Sequence, residues 1–141
     1  MIIMSVDLGK ARTGVALCDK DEALAFPKTV ITEYNTEKLV TRISDIAREE
    51  RAQLIVVGLP KNMDGSDGER AEECRAVAKK IEEASGISAV MWDERCTTVS
   101  AYTALDMSGT YGKKRRQTVD AVAATIILES YLTYRKNNKQ S

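Results

Sequence analysis

The chain has 141 residues, enough for one compact domain with a core of its own. Its 21 basic and 21 acidic side chains cancel, which excludes a uniformly basic nucleic-acid coat while leaving room for a local basic patch. Histidine is absent, so serine–histidine and cysteine–histidine nucleophiles, histidine acid–base pairs and histidine-ligated zinc are excluded, and an enzyme made of these residues works with carboxylates, lysine or a metal held by oxygen.

A first strand is expected from Met1 to Leu8, where the apolar run Ile2 to Val6 ends in an acid, Asp7. A tight turn containing Gly9 leads into a second strand, Thr13 to Cys18. After the acidic turn Asp19-Lys20-Asp21, a third strand runs from Ala23 to Thr32, and Pro27 puts it at an edge or on a bulge. From Asn35 the period turns helical on Leu39, Ile43, Ile46 and Glu50, with Glu37 in the first turn. Leu54 to Val57 is short, continuously apolar and β-branched, as a central parallel strand should be. The stretch Gly58-Leu59-Pro60 to Ser66, with a turn at Asp64-Gly65, is a long loop that fits either a functional sheet edge or a plain connection. Ser66-Asp67-Gly68-Glu69 matches a capping box for a helix on Ala71, Cys74, Val77, Ala78 and Ile81, closed by Gly86. Ala89 to Trp92 is the fifth strand, and a helix follows from Thr97 to about Met107. Gly109 to Gln117 reads as a polar, basic loop, and a last helix as running from Thr118 to about Tyr134.

This order predicts an α/β fold in one domain over residues 1–141, a five-stranded mixed sheet with helices on both faces. Sites in such sheets lie at the carboxyl ends of the parallel strands. The three cysteines, Cys18, Cys74 and Cys96, have no metal-type spacing and are expected to be reduced cytosolic thiols. No basic-then-apolar leader is visible, and Ala121 to Leu128 is too short to span a bilayer, so the expectation is a soluble, cytoplasmic chain with no membrane partner.

Three acids stand out. Asp7 and Glu94 each end a predicted strand, and Asp120 shares a helix face with Ala124, Ile127 and Tyr131 that should pack on the sheet. Converging carboxylates repel and raise each other's pKa, and a hard divalent cation such as Mg²⁺ or Mn²⁺ relieves that repulsion while keeping places for water and phosphate oxygens. Two such ions can activate a water and stabilise the leaving oxygen of a phosphodiester, chemistry that needs no histidine. Each acid also has an ordinary structural role open to it. Asp7 can cap its turn, Glu94 can pair with Arg95 or Lys113, and Asp120 falls in the first turn of the predicted helix, where the dipole favours an acid. Asp93 neighbours Glu94, but alternation turns it to the other side of the strand. Arg12, between Gly9 and Gly14, is either a phosphate contact or a solvated charge. The run Lys113-Lys114-Arg115-Arg116 is either a solvated loop or a clamp that neutralises a nucleic-acid backbone over the site. Aromatics are scarce, although Tyr102 and Tyr111 lie nearby in sequence, which disfavours a base-stacking binder.

Four blocks in order, Asp7-Leu8-Gly9…Arg12…Gly14, Gly58-Leu59-Pro60…Asp64-Gly65-Ser66, Asp93-Glu94-Arg95…Thr97-Thr98…Ala101 and Asp120…Ala123-Ala124…Ile127-Leu128…Tyr131-Leu132, resemble the signature of the bacterial YqgF/RuvX family. That family is similar to RNase H-like nucleases and to the resolvase RuvC. It is described as a pre-16S rRNA nuclease acting at the 5′ end of the small-subunit rRNA, with Holliday-junction resolvase as an older label. The resemblance implies an RNase H-like fold, Asp7, Glu94 and Asp120 as catalytic and metal-holding acids, and Mg²⁺ or Mn²⁺ as cofactor. On that reading Arg12, Arg95, Thr97, Thr98, Lys113, Lys114, Arg115 and Arg116 engage the substrate, precursor rRNA ahead of branched DNA, with ribosomal particles as partners and a monomer or homodimer as the working form. Cys96 departs from the leucine expected in the third block, and no fourth acid is identified. The alternatives are a dimeric resolvase of four-way DNA junctions, a non-catalytic RNA- or ribosome-binding module, and a sugar-kinase or actin-like ATPase, which needs two lobes where this chain has room for one.

Overall fold

The structure, a computed structural model, describes residues 1–60, 68–94 and 112–139, with side chains for all of these except 112–120 and 139. The elements are β1 (Ile3–Asp7), β2 (Arg12–Cys18), β3 (Ala25–Thr32), α1 (Thr36–Glu49), β4 (Leu54–Leu59), α2 (Glu69–Ser85), β5 (Ala89–Asp93) and α3 (Gly112–Lys139). The strands form one sheet in the order β3-β2-β1-β4-β5. β1 pairs antiparallel with β2 and parallel with β4, β2 pairs antiparallel with β3, and β4 pairs parallel with β5. The mixed sheet is the one expected from the meander followed by alternating helices and strands.

Alternation along each strand divides the core into two layers. Met4, Val6, Val15, Leu17, Ile55 and Val57 face one way, beneath Leu39, Val40, Ile43 and Ala47 of α1 and Ala78 and Ile81 of α2. Ile3, Ala16, Cys18 and Val56 face the other way, beneath Ala124, Ile127 and Leu128 of α3. Ser5 lies in this second layer, and its hydroxyl donates to the Ala124 carbonyl across 2.6 Å, so the one polar side chain of β1 before Asp7 pins α3 to the sheet. Because β1 and β4 are buried on both faces, their sequences are apolar on both, broken in β1 before Asp7 only by the bonded Ser5.

The ends of the elements follow local chemistry. Asn35 caps α1, its side chain accepting from the Lys38 amide at 3.0 Å. Gly86 ends α2 in the left-handed conformation, at φ 74°, with its N–H on the Glu82 carbonyl. β3 is an edge strand, and its register slips between the pairs Val15–Thr29 and Ala16–Pro27, which places Pro27 beside a bulge as its missing N–H requires. Among the described residues no helix is long and apolar enough to cross a membrane.

Several expectations need correction. α2 begins at Glu69 with Gly68 as its cap and no side-chain capping bond, so the capping box does not operate; Ser66 lies outside the described residues. The basic stretch read as a loop to Gln117 is helical from Gly112, and the last helix runs on to Lys139. Asp120 therefore sits well inside α3, beyond the first turn, and the dipole argument for it falls away. β4 also continues past Val57 through Leu59, which makes Gly58 a strand residue. The helix expected from Thr97 to about Met107 lies outside the described residues.

Candidate active site

β1, β4 and β5 run parallel, so Asp7, Leu59 and Asp93 end at the same edge of the sheet. β2 runs the opposite way, and its first residue, Arg12, lies at that edge too. Asp7 follows Ile3 and Ser5 in alternation, and Glu94 follows Val90 and Trp92, so both acids belong to the layer beneath α3. Arg12 shares that side with Gly14 and Ala16. Asp93 falls on the other side, as alternation requires.

The carboxyl groups of Asp7 and Glu94 are hydrogen bonded to each other. Two carboxyls in contact resist ionising together, and the Glu94 pKa is pushed up to about 7. Burial is the largest cause, followed by the negative charge of Asp7 and the bond between the two groups; the Arg70 guanidinium pulls the other way. Below about pH 7 the pair therefore tends to hold one proton between its oxygens. Two hard oxygen donors at a common edge, strained by mutual repulsion, suit a hard divalent cation such as Mg²⁺ or Mn²⁺. Among the described residues no group of three or more potential ligands gathers. The third expected ligand, Asp120, lies in α3 one turn before the buried Ala124, and its side chain is outside the described residues.

Gly58 gives this pair its space. A Cβ on Gly58 would stand 2.6 Å from Glu94 Oε1, 3.2 Å from Glu94 Cγ and 2.9 Å from Ile127 Cδ1. The Glu94 side chain thus lies across the bare backbone of β4, between the sheet and α3. Gly9 has a separate role: a Cβ there would run into the Arg12 carbonyl oxygen, so the connection from β1 to β2 closes tightly only with glycine.

Arg70, on the first turn of α2, is the functional candidate that the motif reading missed. It donates through Nη2 to the Leu8 carbonyl, next to Asp7, and through Nη1 to Glu73 at 3.0 Å. A signal for it existed: it opens the helix that follows a parallel strand, the position from which α/β folds reach over the site. Cys74, one turn further, is buried, and burial pushes its thiol pKa up despite the nearby Arg70, which marks an inert thiol. Of the other expected contacts, Arg95, Thr97 and Thr98 lie outside the described residues, and Lys113, Lys114, Arg115 and Arg116 belong to the first turns of α3 without described side chains.

Comparison with known proteins extends this picture. Residues 1–134 match the family model described as RuvX: Holliday junction resolvase. A protein of Rhodopirellula baltica is 42% identical over 130 residues, covering 92% of this chain and 75% of its own. Another, of Clostridium botulinum strain Alaska E43, is 41% identical over 132 residues, covering 94% and 96%. A third, of Desulforudis audaxviator, is 34% identical over 141 residues and the full length of both chains. All three carry the name "Putative pre-16S rRNA nuclease". In fold, the chain is similar to Thermus thermophilus RuvC in complex with a Holliday junction substrate, with a TM-score of 0.62 at 11% identity over 96% of each chain. It is also similar to the fowlpox virus Holliday junction resolvase, with a TM-score of 0.58 at 16% identity over 95% of this chain and 99% of the other. At such identities the likeness is one of fold, the RNase H-like sheet with its flanking helices.

Proposed function

The chain belongs to the RuvX family, and from that premise we propose that it is a metal-dependent nuclease acting in 5′-end maturation of precursor 16S rRNA. The observation that carries this reading is the hydrogen-bonded Asp7–Glu94 pair at the carboxyl edge of the sheet. A hydrolase that cuts phosphodiesters without histidine needs oxygen ligands at such a place. Asp7, Glu94 and Asp120 would hold the ion, and residues 1–141 work as one RNase H-like nuclease unit.

A bound Mg²⁺ or Mn²⁺ would supply an activated water and charge neutralisation at the leaving oxygen. The protein's own groups set the stage. Asp7 stands on β1, held by β2 on one side and β4 on the other, and so fixes the position of one ligand oxygen. Glu94, hydrogen bonded to Asp7, would hold the ion in its ionised form, so binding would favour loss of the proton that the pair otherwise keeps. Arg70, fixed on the Leu8 carbonyl, and Arg12, at the start of β2, flank Asp7 with positive charge and would orient the scissile phosphate. Arg95, Thr97, Thr98 and the run Lys113 to Arg116 would extend that grip along the backbone of the substrate. Ribosomal particles are the partners that such a substrate brings, in the cytoplasm.

The family description and the RuvC-like fold favour a second reading, resolution of four-way DNA junctions by the same chemistry. A resolvase cuts two strands symmetrically and works as a dimer. The deciding experiment incubates the protein with end-labelled precursor rRNA, single-stranded RNA and a four-way DNA junction, each with Mn²⁺, Mg²⁺ or chelator, beside Asp7→Asn. Metal-dependent cutting of the rRNA that the variant loses is expected. Preference for the junction, with a dimer by light scattering, would favour the resolvase. No cutting, with binding retained by the variant, would mean a non-catalytic RNA-binding module.

A further inference from the structure

On the opposite side of the sheet from the carboxyl pair, but at the same edge, lies a groove of about 520 Å³. It falls within the roughly 300–1,000 Å³ of small-molecule clefts. Leu8, Gly9 and Lys10 form its floor towards the site, the start of α1 one wall, and Arg70, Glu73 and Lys80 of α2 the other. Tyr34 stands at its rim, 80% exposed, the most exposed large hydrophobic side chain described. We infer that this groove is a subsite for one unpaired nucleotide of the substrate strand, its base stacked on Tyr34 and its phosphate drawn to Lys10 and Arg70. The inference rests on the nuclease reading and adds to it a substrate class, single-stranded nucleic acid.

Three observations carry it. The first is continuity: Arg70 lines the groove, is bonded to the Leu8 carbonyl and lowers the Glu94 pKa, so one guanidinium belongs to both places. Leu8, in the floor of the groove, is the chain neighbour of Asp7, so the two places meet at the end of β1. The second is the fixed backbone around Tyr34. Glu33 N–H donates to the Ala11 carbonyl at 3.0 Å, Asn35 N–H donates to the Glu33 carboxylate at 3.2 Å, and Asn35 caps α1, so the ring is exposed on a tethered segment. A large aromatic face held open to water beside basic groups is how single strands are gripped without sequence readout. The third is charge. Glu33 and Glu73 also line the groove; Glu73 pairs with Arg70, and Glu33 keeps its charge but has one carboxylate oxygen turned to the Asn35 amide. Lys80 is paired with Glu37, while Lys10 is exposed with no ion-pair partner among the described residues. Duplex bases are stacked and paired, and only an unpaired base can lie on Tyr34.

The test is anisotropy of fluorescein-labelled 12-mers in chelator, so that nothing is cut, at roughly 0.1 M salt to keep surface attraction moderate. Single-stranded RNA, single-stranded DNA, a matched duplex and a four-way junction are titrated with the full chain and with Tyr34→Ala, Tyr34→Phe and Lys10→Ala. Tyr34→Ala is expected to weaken single-strand binding roughly tenfold, while Tyr34→Phe, which keeps the ring, stays within about twofold. Lys10→Ala should weaken single-strand binding and flatten its salt dependence. Duplex and junction binding should be indifferent to Tyr34. A larger effect on RNA than on DNA, or the reverse, identifies the source of the nucleotide. Equal single-strand binding by Tyr34→Ala and the parent, equal loss on duplex and single strand, or no single-strand binding by the parent overturns the subsite. The nuclease reading fails separately, if Asp7→Asn still cuts while the Tyr34 effect stands.

Discussion

Replacing Gly58 with alanine tests the site through a single methyl group. Gly58 sits in ordinary strand backbone, so alanine meets no conformational penalty there. Its methyl, however, would lie 2.6 Å from Glu94 Oε1 and 2.9 Å from Ile127 Cδ1, both inside contact distance. Overpacking of this kind costs about 1–3 kcal/mol, and a Gly→Ala change returns about 0.4–1 kcal/mol by restricting the unfolded chain. A net loss of about 1–2 kcal/mol follows, a drop in melting temperature of roughly 3–7 °C for a chain this size. The larger effect falls on catalysis. Glu94 must swing away from Asp7, and misplacing a catalytic group by about 1 Å costs on the order of a hundredfold in rate. Single-turnover cleavage at saturating metal reads the rate, and a thermal melt reads the stability. The double variant Gly58→Ala/Ile127→Val separates the two clashes. Valine lacks the Cδ1 atom, so it should return part of the melting temperature as a favourable coupling while the rate stays low, because the clash with Glu94 remains. A parental rate in Gly58→Ala, or a rate restored by Ile127→Val, would refute the role given to Glu94.

The remaining expectations concern charge. The Glu94 pKa is raised in the folded state, so its protonated form supports folding below the unfolded pKa near 4.5, and that support is lost as pH rises through about 7. Melting temperature in chelator should therefore fall across that window, as followed by circular dichroism. Mn²⁺ should offset the fall, raising the melting temperature more at pH 8 than at pH 5, because it binds the ionised pair. Asp7→Asn removes the facing charge and should shrink the same fall while abolishing cleavage; a variant with the parental pH profile would show that Asp7 does not act on Glu94. Glu22 behaves in the opposite sense. Arg135, bonded to it at 2.6 Å, and the Met1 amino group at 3.1 Å lower its pKa from 4.5 to about 2. That support is present above pH 4.5 and lost as pH falls towards 2, so Glu22→Gln should cost about 1 kcal/mol at pH 7 and nothing at the acid end of an acid-denaturation curve.

The order of elements and the position of Asp7 and Glu94 could be read from residues because each rests on local pattern: largely apolar runs for β1 and β4, helical spacing for α1, and an acid at a strand end. The start of α3 could not. Gly112 and four successive basic residues look like a loop by composition, and a helix beginning there opposes the usual preference for acids in a first turn. The capping box failed for a related reason, since a matching spacing does not decide which residue leaves the helix, and here Gly68 does. Gly58 looked like the start of a loop because glycine and proline sit together at Gly58-Leu59-Pro60, yet its part is to be empty space for a side chain from the next strand. That depends on a parallel neighbour, Trp92 in register with Gly58, that local spacing does not encode. Tyr34 and Arg70 belong to none of the four blocks, and only the folded chain brings them to one groove.

The strand order gives the two paired acids unequal anchorage. Asp7 ends β1, the middle strand, bonded on both sides, whereas Glu94 follows β5, an outer strand that among the described residues pairs only with β4. Outer strands open at lower free energy than central ones, so amide exchange should be faster along β5 than along β1. When the native protein breathes, Glu94 departs first and Asp7 stays. The site then comes apart and reassembles without unfolding the sheet, and a ligand that bridges both acids closes the seam at β5, slowing exchange at Trp92 well before it changes exchange at Val6.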